Sequence, residues 1–138
     1  MNASLSLLGR LGLSLIFITS GWAKIGGYAA TQGYMESAGV PGLLLPLVIA
    51  LELGGGLAIL AGVFTRWLSL AFAGFTVLAA LLFHFDLADP VQSLLFWKNL
   101  AIAGGFLVLA ANGPGALSLD GKLAARRAPA IAKPAIAD

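Results

Sequence analysis

Four long apolar segments, separated by shorter polar or turn-forming stretches, make up most of the chain. The apolar segments are residues 5–23, 42–63, 67–85 and 91–111. Each is close to the about 20 apolar residues that a helix needs to cross the hydrocarbon core of a bilayer. Glycine, proline and polar residues between these segments favour turns. The pattern therefore predicts an all-α fold, namely an integral membrane four-helix bundle.

The distribution of charge between the two ends of this bundle predicts its orientation. An even number of spans places both termini on one side of the membrane, and basic residues favour the cytoplasmic side. Arg66 and the basic tail share the side of the termini. The other side holds Lys24 and three acidic residues, Glu36, Asp86 and Asp89. We therefore predict a multi-pass protein of the inner (cytoplasmic) membrane with both termini cytoplasmic.

The turn at residues 112–115 divides the chain into two parts. Residues 1–115 are predicted to form one four-transmembrane-helix domain, and residues 116–138 form a basic cytoplasmic tail. Within the tail, residues 120–127 have the pattern of a short surface helix. The Ala, Pro and Lys composition of residues 128–138 is typical of disorder.

A cleaved signal peptide is the alternative interpretation of the first apolar segment. Residues 21–23, Gly-Trp-Ala, place small residues at the offsets that signal peptidase requires. Arg10 would then interrupt the apolar stretch of the signal. Cleavage would also leave three spans with the termini on opposite sides, so we favour a retained first helix.

The composition supports lipid as the solvent of this chain and limits its chemistry. Hydrophobic residues make up 59% and charged residues 10%, with a mean hydropathy of +0.96, whereas a soluble domain carries about 25% charge. The absence of cysteine excludes disulfides, thiolate catalysis and iron–sulfur ligation. A single histidine excludes a haem held by two histidines of one chain. Four of the eight basic residues lie within residues 122–138, so the net charge of +2 does not indicate a nucleic-acid partner.

Glu52 and Lys98 are the charged residues predicted to lie deepest in the membrane. At about 1.5 Å per residue, Glu52 lies about 15 Å and Lys98 about 10 Å from the outer ends of two parallel spans. A lone charge at such depth is costly, so the two side chains are predicted to form a pair; the alternative is a neutral Glu52 with Lys98 extending outward to the interface. The pair either ties the helices together or, with Asn99, contributes to a ligand site. Neighbouring glycines at residues 54–56 and 104–105 allow the helices to approach closely.

Other polar and aromatic residues add to this candidate site. Lys24 ends the first helix. The loop of residues 25–41 either caps a pocket that Tyr34 would line, or Tyr34 is an ordinary anchor at the membrane interface. His84 is either an interfacial residue or a ligand or proton contact. Arg10 is expected to extend toward lipid phosphates. The candidate ligand-binding residues are therefore Glu52, Lys98, Asn99, Lys24, His84, Arg10, Trp22 and Tyr34; no catalytic residue and no metal-ligand set is predicted.

Several short motifs, in a fixed order, resemble the DoxX family of small membrane proteins. They are Gly9-Arg10-Leu11, Ser20-Gly21-Trp22-Ala23-Lys24, Gly39-Val40-Pro41, Glu52-Leu53-Gly54-Gly55-Gly56, Thr65-Arg66, Lys98-Asn99-Leu100 and Gly113-Pro114-Gly115. The resemblance covers residues 8–120 and implies a four-helix membrane fold. In some members it also implies quinone-linked oxidation, including a subunit of an archaeal thiosulfate:quinone oxidoreductase.

Three functions are compatible with these residues and with the resemblance. The first is a quinone- or lipophile-binding accessory component of a membrane redox system, with no covalently bound cofactor. Such a chain would be at most a subunit of an oxidoreductase, because it has no residues to hold an electron carrier. The second is a non-enzymatic assembly or anchoring subunit for a partner protein, and the third is a small transporter. Membrane lipid, a redox partner protein and further copies of the chain are the expected partners.

Overall fold

The computed structural model describes residues 2–127. In this part of the chain the regular elements are all helices. We number them in chain order as α1 (Ala3–Gly26), α2 (Tyr28–Ser37), α3 (Gly42–Ala61), α4 (Thr65–Phe83), α5 (Pro90–Asn112) and α6 (Leu119–Arg127). Four of them, α1, α3, α4 and α5, are long and apolar enough to cross a membrane. The predicted all-α, four-helix membrane fold is therefore confirmed.

Capping residues and turn geometry explain where the helices begin and end. The Asn2 side chain accepts a hydrogen bond from Ser4 N at 3.0 Å at the start of α1. Asp89 does the same for Gln92 N at 2.8 Å, ahead of Pro90 at the first position of α5. Gly62 ends α3 with φ +74°, a left-handed conformation that glycine adopts without strain.

The third span is not a uniform α-helix. It begins with a 3₁₀ turn at Gly42–Leu44, continues as α-helix, and widens into a π-helix at Ala50–Gly55 before the α-helix resumes at Gly56. A π-helical turn holds more residues than an α-helical turn; such turns are rare and frequently lie at functional sites. Glu52 lies within this wide turn.

Aromatic side chains form the centre of the bundle. Phe72 of α4 stacks on Phe106 of α5 with ring centroids 4.9 Å apart, and Phe17 of α1 lies 4.5 Å from Phe72. Ile59 of α3 completes this core and is fully buried. In contrast, many large apolar side chains of all four spans are exposed on the outer surface. A surface of this kind is suited to lipid rather than to water.

The first and last described segments lie at the same end of the bundle. Ser6 Oγ donates a hydrogen bond to Pro114 O at 2.8 Å. The predicted surface helix forms as α6, and Asp120 within it contacts the turn between α3 and α4. The side of the membrane on which this end lies stays a prediction, as does the domain boundary at residue 115. The disorder predicted for residues 128–138 lies outside the described residues.

The segment after α1 was predicted to be a loop, but part of it is helical. Residues 28–37 form α2, a short helix that packs on α3, rather than an irregular cap. Gln32 and Glu36 of α2 lie so close to Gly42 that a Cβ atom there would be 2.3 Å from Gln32 Cγ. The absence of a long apolar stripe in residues 28–37 explains why the sequence did not indicate this helix.

Candidate ligand-binding site

A cavity of about 440 Å³ lies among α1, α2, α3, α4 and α5, toward the end of the bundle at which α1 finishes. Its size is within the about 300–1,000 Å³ of typical small-molecule sites. Most of its wall is apolar, with Phe17 and Phe75 as its inner aromatic residues. The polar residues that line it are Ser20, Lys24, Thr31, Tyr34, Glu52, Thr76, His84, Lys98 and Asn99.

Glu52 is the one acidic residue among the described residues that line this cavity. Its side chain projects from the π-helical turn of α3, and the residue is only 4% exposed. Gly21 of α1 packs directly against this turn, since a Cβ atom at residue 21 would lie 2.7 Å from Leu53 N and 3.1 Å from Glu52 Cβ. The close approach of the two backbones therefore depends on the missing side chain of Gly21.

Lys24, one turn beyond Gly21, is the partner of Glu52. The distance from Lys24 Nζ to Glu52 Oε2 is 2.7 Å, and the same ammonium group donates a hydrogen bond to Ser20 Oγ at 2.7 Å. The contact is a buried ion pair. A carboxylate oxygen has two lone pairs, so Oε2 keeps capacity to accept a hydrogen bond beside the ammonium group.

The predicted pair of Glu52 and Lys98 is wrong. Lys98 lines the same cavity, but it is exposed and forms no salt bridge with a described carboxylate. Depth along the helix axis suggested the pair, whereas the choice of partner was decided by which helix faces Glu52. That helix is α1, because Gly21 brings its backbone against α3. Asn99, next to Lys98, is 8% exposed and also lines the cavity.

His84 and Tyr34 lie on the wall of the cavity, as the sequence suggested for a capped pocket. His84 Nδ1 is 2.8 Å from Gln92 Oε1, which links the end of α4 to the first turn of α5. The Tyr34 ring stacks on Phe83 with centroids 5.3 Å apart. Met35 of α2 is buried and also lines the cavity, so α2 covers part of its mouth.

Two predicted contact residues do not line this cavity. Trp22 is 71% exposed and lies on the outer surface of α1. Arg10 lies nearer the other end of α1 and is only 1% exposed, so the expectation that it extends toward lipid phosphates is wrong. Its guanidinium group donates hydrogen bonds to Ile59 O at 3.2 Å, Leu60 O at 2.8 Å and Leu117 O. Backbone carbonyl groups at the end of α3 and after α5 therefore hold this side chain inside the protein, although Ile59 O also accepts from Gly62 N at 3.1 Å.

Sequence reasoning missed three residues that shape the site. Gly21 permits the helix contact, Ser20 holds the Lys24 ammonium, and Thr76 is a buried hydroxyl on the cavity wall. Thr76 Oγ1 donates to the backbone carbonyl group of Phe72, which satisfies its hydroxyl within α4. The spacing of Ser20, Gly21 and Lys24 on one helix was the available signal, because residues four apart lie on one face.

Four apolar spans around a cavity with a buried ion pair define a small multi-pass membrane protein with an internal polar site. The DoxX family model matches residues 5–85, which include α1 to α4 and the Lys24–Glu52 pair. The chain belongs to the DoxX family. Its matched region ends before Lys98 and Asn99.

Two relatives with known location extend the match through α5. The inner membrane protein YqjF of Escherichia coli (strain K12) is 60% identical over 114 residues, which cover 83% of this chain and 88% of that protein. The inner membrane protein YphA of the same organism is 40% identical over 124 residues, covering 84% and 88%. No solved structure gives a significant match. The chain is therefore a multi-pass inner membrane protein.

Proposed function

We propose that this protein binds a quinone, or a lipophile of similar shape, as an accessory component of a membrane redox system. The observation that carries the proposal is the cavity with apolar walls and the Lys24–Glu52 pair at its polar end. Ligand sites commonly combine such walls with a few well-placed polar groups. A water-soluble ligand would not need so apolar a wall.

The polar residues of the cavity are suited to the two oxidation states of a quinone. A quinone carries carbonyl oxygens that accept hydrogen bonds, and Lys98 and the Asn99 amide offer donors on α5. A quinol carries hydroxyl groups that donate, and Glu52 Oε2 has capacity to accept from one of them. Phe17 and Phe75, whose rings are inclined at 64° with centroids 6.3 Å apart, provide an aromatic wall against which a ring can pack.

The rim of the cavity supports entry from the bilayer. Leu47 of α3 is 68% exposed and Leu78 of α4 is 54% exposed, yet both also line the cavity. These side chains belong to the outer surface that faces lipid, so the apolar tail of a ligand would remain in the hydrocarbon region. Electrons for any reduction would come from a redox partner protein, because this chain has no residues to hold a carrier.

Extraction of the purified protein tests the proposal. The chain is purified in mild detergent from its native membrane, and retained quinones are measured by mass spectrometry against lipid-matched blanks. Glu52→Gln and Lys98→Met should each lower quinone retention by about tenfold, as expected for the loss of about 1.4 kcal/mol of binding free energy.

Glu36→Gln is the matched control, because Glu36 is the other glutamate of the chain, is exposed and does not line the cavity. This variant should retain as much quinone as the unmodified protein. Equal retention by Glu52→Gln, Lys98→Met and Glu36→Gln would contradict the proposed site. Absence of quinone from the unmodified protein would contradict the proposed ligand.

A further inference from the structure

A second concave surface lies at the other end of the bundle, where the first and last described segments meet. It is a groove of about 860 Å³ between α6 and the turn that joins α3 to α4. Five of its lining residues are apolar and two are charged: Val63, Phe64, Leu119, Leu123 and Ala124, with Asp120 and Arg127. None of these residues lines the cavity around Glu52.

Asp120 fixes α6 at the level where two spans end. Its carboxylate oxygens accept hydrogen bonds from Phe64 N at 3.2 Å and from Thr65 N at 2.9 Å, at the start of α4. Asp120 N donates to Gly62 O at 2.8 Å, at the end of α3. Because α3 and α4 are membrane spans, α6 is placed at the boundary between hydrocarbon and headgroups.

The side chains of α6 have the arrangement of a helix that lies on a membrane surface. Leu119 and Leu123 are four residues apart, share one face and are each about half exposed. At 100° per residue, Lys122 and Arg126 flank this face on one side and Arg127 flanks it on the other. Apolar stripes bordered by basic residues bind at the headgroup level through burial and attraction to anionic lipid.

Exposed aromatic residues near the groove also indicate that it lies at the headgroup region of the membrane. Phe64 is 71% exposed and forms part of the groove, and Trp67, in the first turn of α4, is 76% exposed. Exposed aromatic side chains are enriched where a membrane protein meets the headgroup region. The single negative charge of Asp120 faces backbone N–H groups, and three basic residues of α6, Lys122, Arg126 and Arg127, outnumber it.

We propose that the groove between α6 and the α3–α4 turn is a binding site for an anionic phospholipid. One acyl chain lies along Phe64, Leu119 and Leu123, and the phosphate is held by the basic side chains Lys122, Arg126 and Arg127. The charge of the rim and its depth at the end of the spans favour a lipid over a protein partner. The site is separate from the proposed quinone site and does not depend on it.

Fluorescence quenching by brominated lipid measures occupancy of this groove in the full-length protein. The chain has three tryptophans, so W22F with W97F leaves Trp67, three residues after Phe64 of the groove, as the single reporter. The protein is reconstituted into phosphatidylcholine vesicles with a minor fraction of phosphatidylglycerol, and the bromine is carried by one lipid or the other. At equal bromine content, phosphatidylglycerol should quench Trp67 about fivefold more effectively.

Neutral and charge-conserving variants separate headgroup binding from folding. K122Q/R126Q/R127Q should remove the preference for phosphatidylglycerol, whereas K122R/R126K/R127K should retain it. Equal quenching by the two lipids in the unmodified groove would overturn the proposal and leave this face to a protein partner. Retention of the preference in the neutral variant, or its loss in the charge-conserving one, would also overturn it.

Discussion

Lys24 Nζ lies 2.7 Å from Glu52 Oε2, and this contact joins the end of α1 to the π-helical turn of α3. A single charged residue in the middle of a span costs about 2.5–3.5 kcal/mol on insertion scales. An opposite charge from the neighbouring helix offsets this cost for Glu52. The ion pair thus explains how a carboxylate remains in an apolar span and why it lies beside a cavity rather than in lipid.

The ion pair should appear as a coupling free energy between residues 24 and 52. Removing one partner of a buried pair typically destabilises a protein by about 3–5 kcal/mol. We expect about 2–3 kcal/mol for Lys24→Met, a smaller loss because the Lys24 side chain is still 23% exposed. Unfolding by sodium dodecyl sulfate in mixed micelles, applied to Lys24→Met, Glu52→Gln and the double variant, measures the coupling.

These three variants form a double-mutant cycle with the unmodified protein. The double variant should lose less unfolding free energy than the sum of the two single losses, because it leaves no buried charge alone. Lys98→Met combined with Glu52→Gln is the comparison, since Lys98 makes no salt bridge with Glu52. Additive effects for residues 24 and 52, with coupling between residues 52 and 98, would contradict the observed pairing.

The contact between α1 and α3 should depend on the absence of a side chain at residue 21. A Cβ atom in Gly21→Ala would lie 2.7 Å from Leu53 N, and backbone at that distance has to move. We expect a loss of about 1–3 kcal/mol in unfolding free energy, as for overpacked cores. Gly12→Ala on the same helix is the control, because nothing lies within 4 Å of its Cβ position.

Gly12→Ala should be neutral or slightly stabilising, since alanine favours a helix more than glycine does. Equal stability of the Gly21→Ala and Gly12→Ala variants would show that the close approach is not required.

The π-helical turn should be needed for the position of Glu52 rather than for the fold. Gly54 lies in this turn, is exposed, and has nothing within 4 Å of its Cβ position. Its deletion should close the wide turn into a regular α-helix, which removes the extra residue that a π-helical turn accommodates. Glu52 would then turn away from Lys24, and the coupling between them should disappear.

The double-mutant cycle of Lys24 and Glu52, repeated in the protein that lacks Gly54, checks this expectation by unfolding in mixed micelles. Gly54→Ala keeps the chain length and should keep the coupling. Full coupling after the deletion would mean that the π-helical turn does not orient Glu52.

Arg10 should contribute to stability through backbone carbonyl groups rather than through lipid. Its guanidinium group bonds Leu60 O and Ile59 O at the end of α3 and Leu117 O after α5. Arg10→Met removes the side-chain donor from Leu60 O and Leu117 O, whereas Ile59 O keeps Gly62 N as a donor, and we expect a loss of about 1–3 kcal/mol. Arg10→Lys should recover only part of it, because an ammonium group lacks the planar fork of donors.

Unfolding in mixed micelles and protease sensitivity of the segment after α5 both measure the effect of Arg10. Arg66→Met, at an exposed basic residue of the same end, should change the unfolding free energy by less than about 0.5 kcal/mol. An Arg10→Met variant as stable as Arg66→Met would contradict the bonding role.

The number, order and approximate ends of the four spans could be predicted from the sequence. Apolar length alone determines them, because a backbone in hydrocarbon has to form its hydrogen bonds within one helix. The predicted ends differ from those of α1, α3, α4 and α5 by no more than three residues. The short helix at α6 was also predictable, from its polar and leucine pattern.

The partners of the charged residues depended on the tertiary structure. Position along each span predicts similar depths for Glu52 and Lys98, but depth does not determine which helices face each other, and Glu52 pairs with Lys24 instead. The position of Arg10 in an apolar segment predicted a contact with lipid, whereas its guanidinium group binds a carbonyl group at the end of α3. Composition and length thus decided that this chain spans the membrane, because each span requires only a local apolar segment of sufficient length. Rotation of the helices and the π-helical turn decided where each charge lies, because those follow from packing between distant segments.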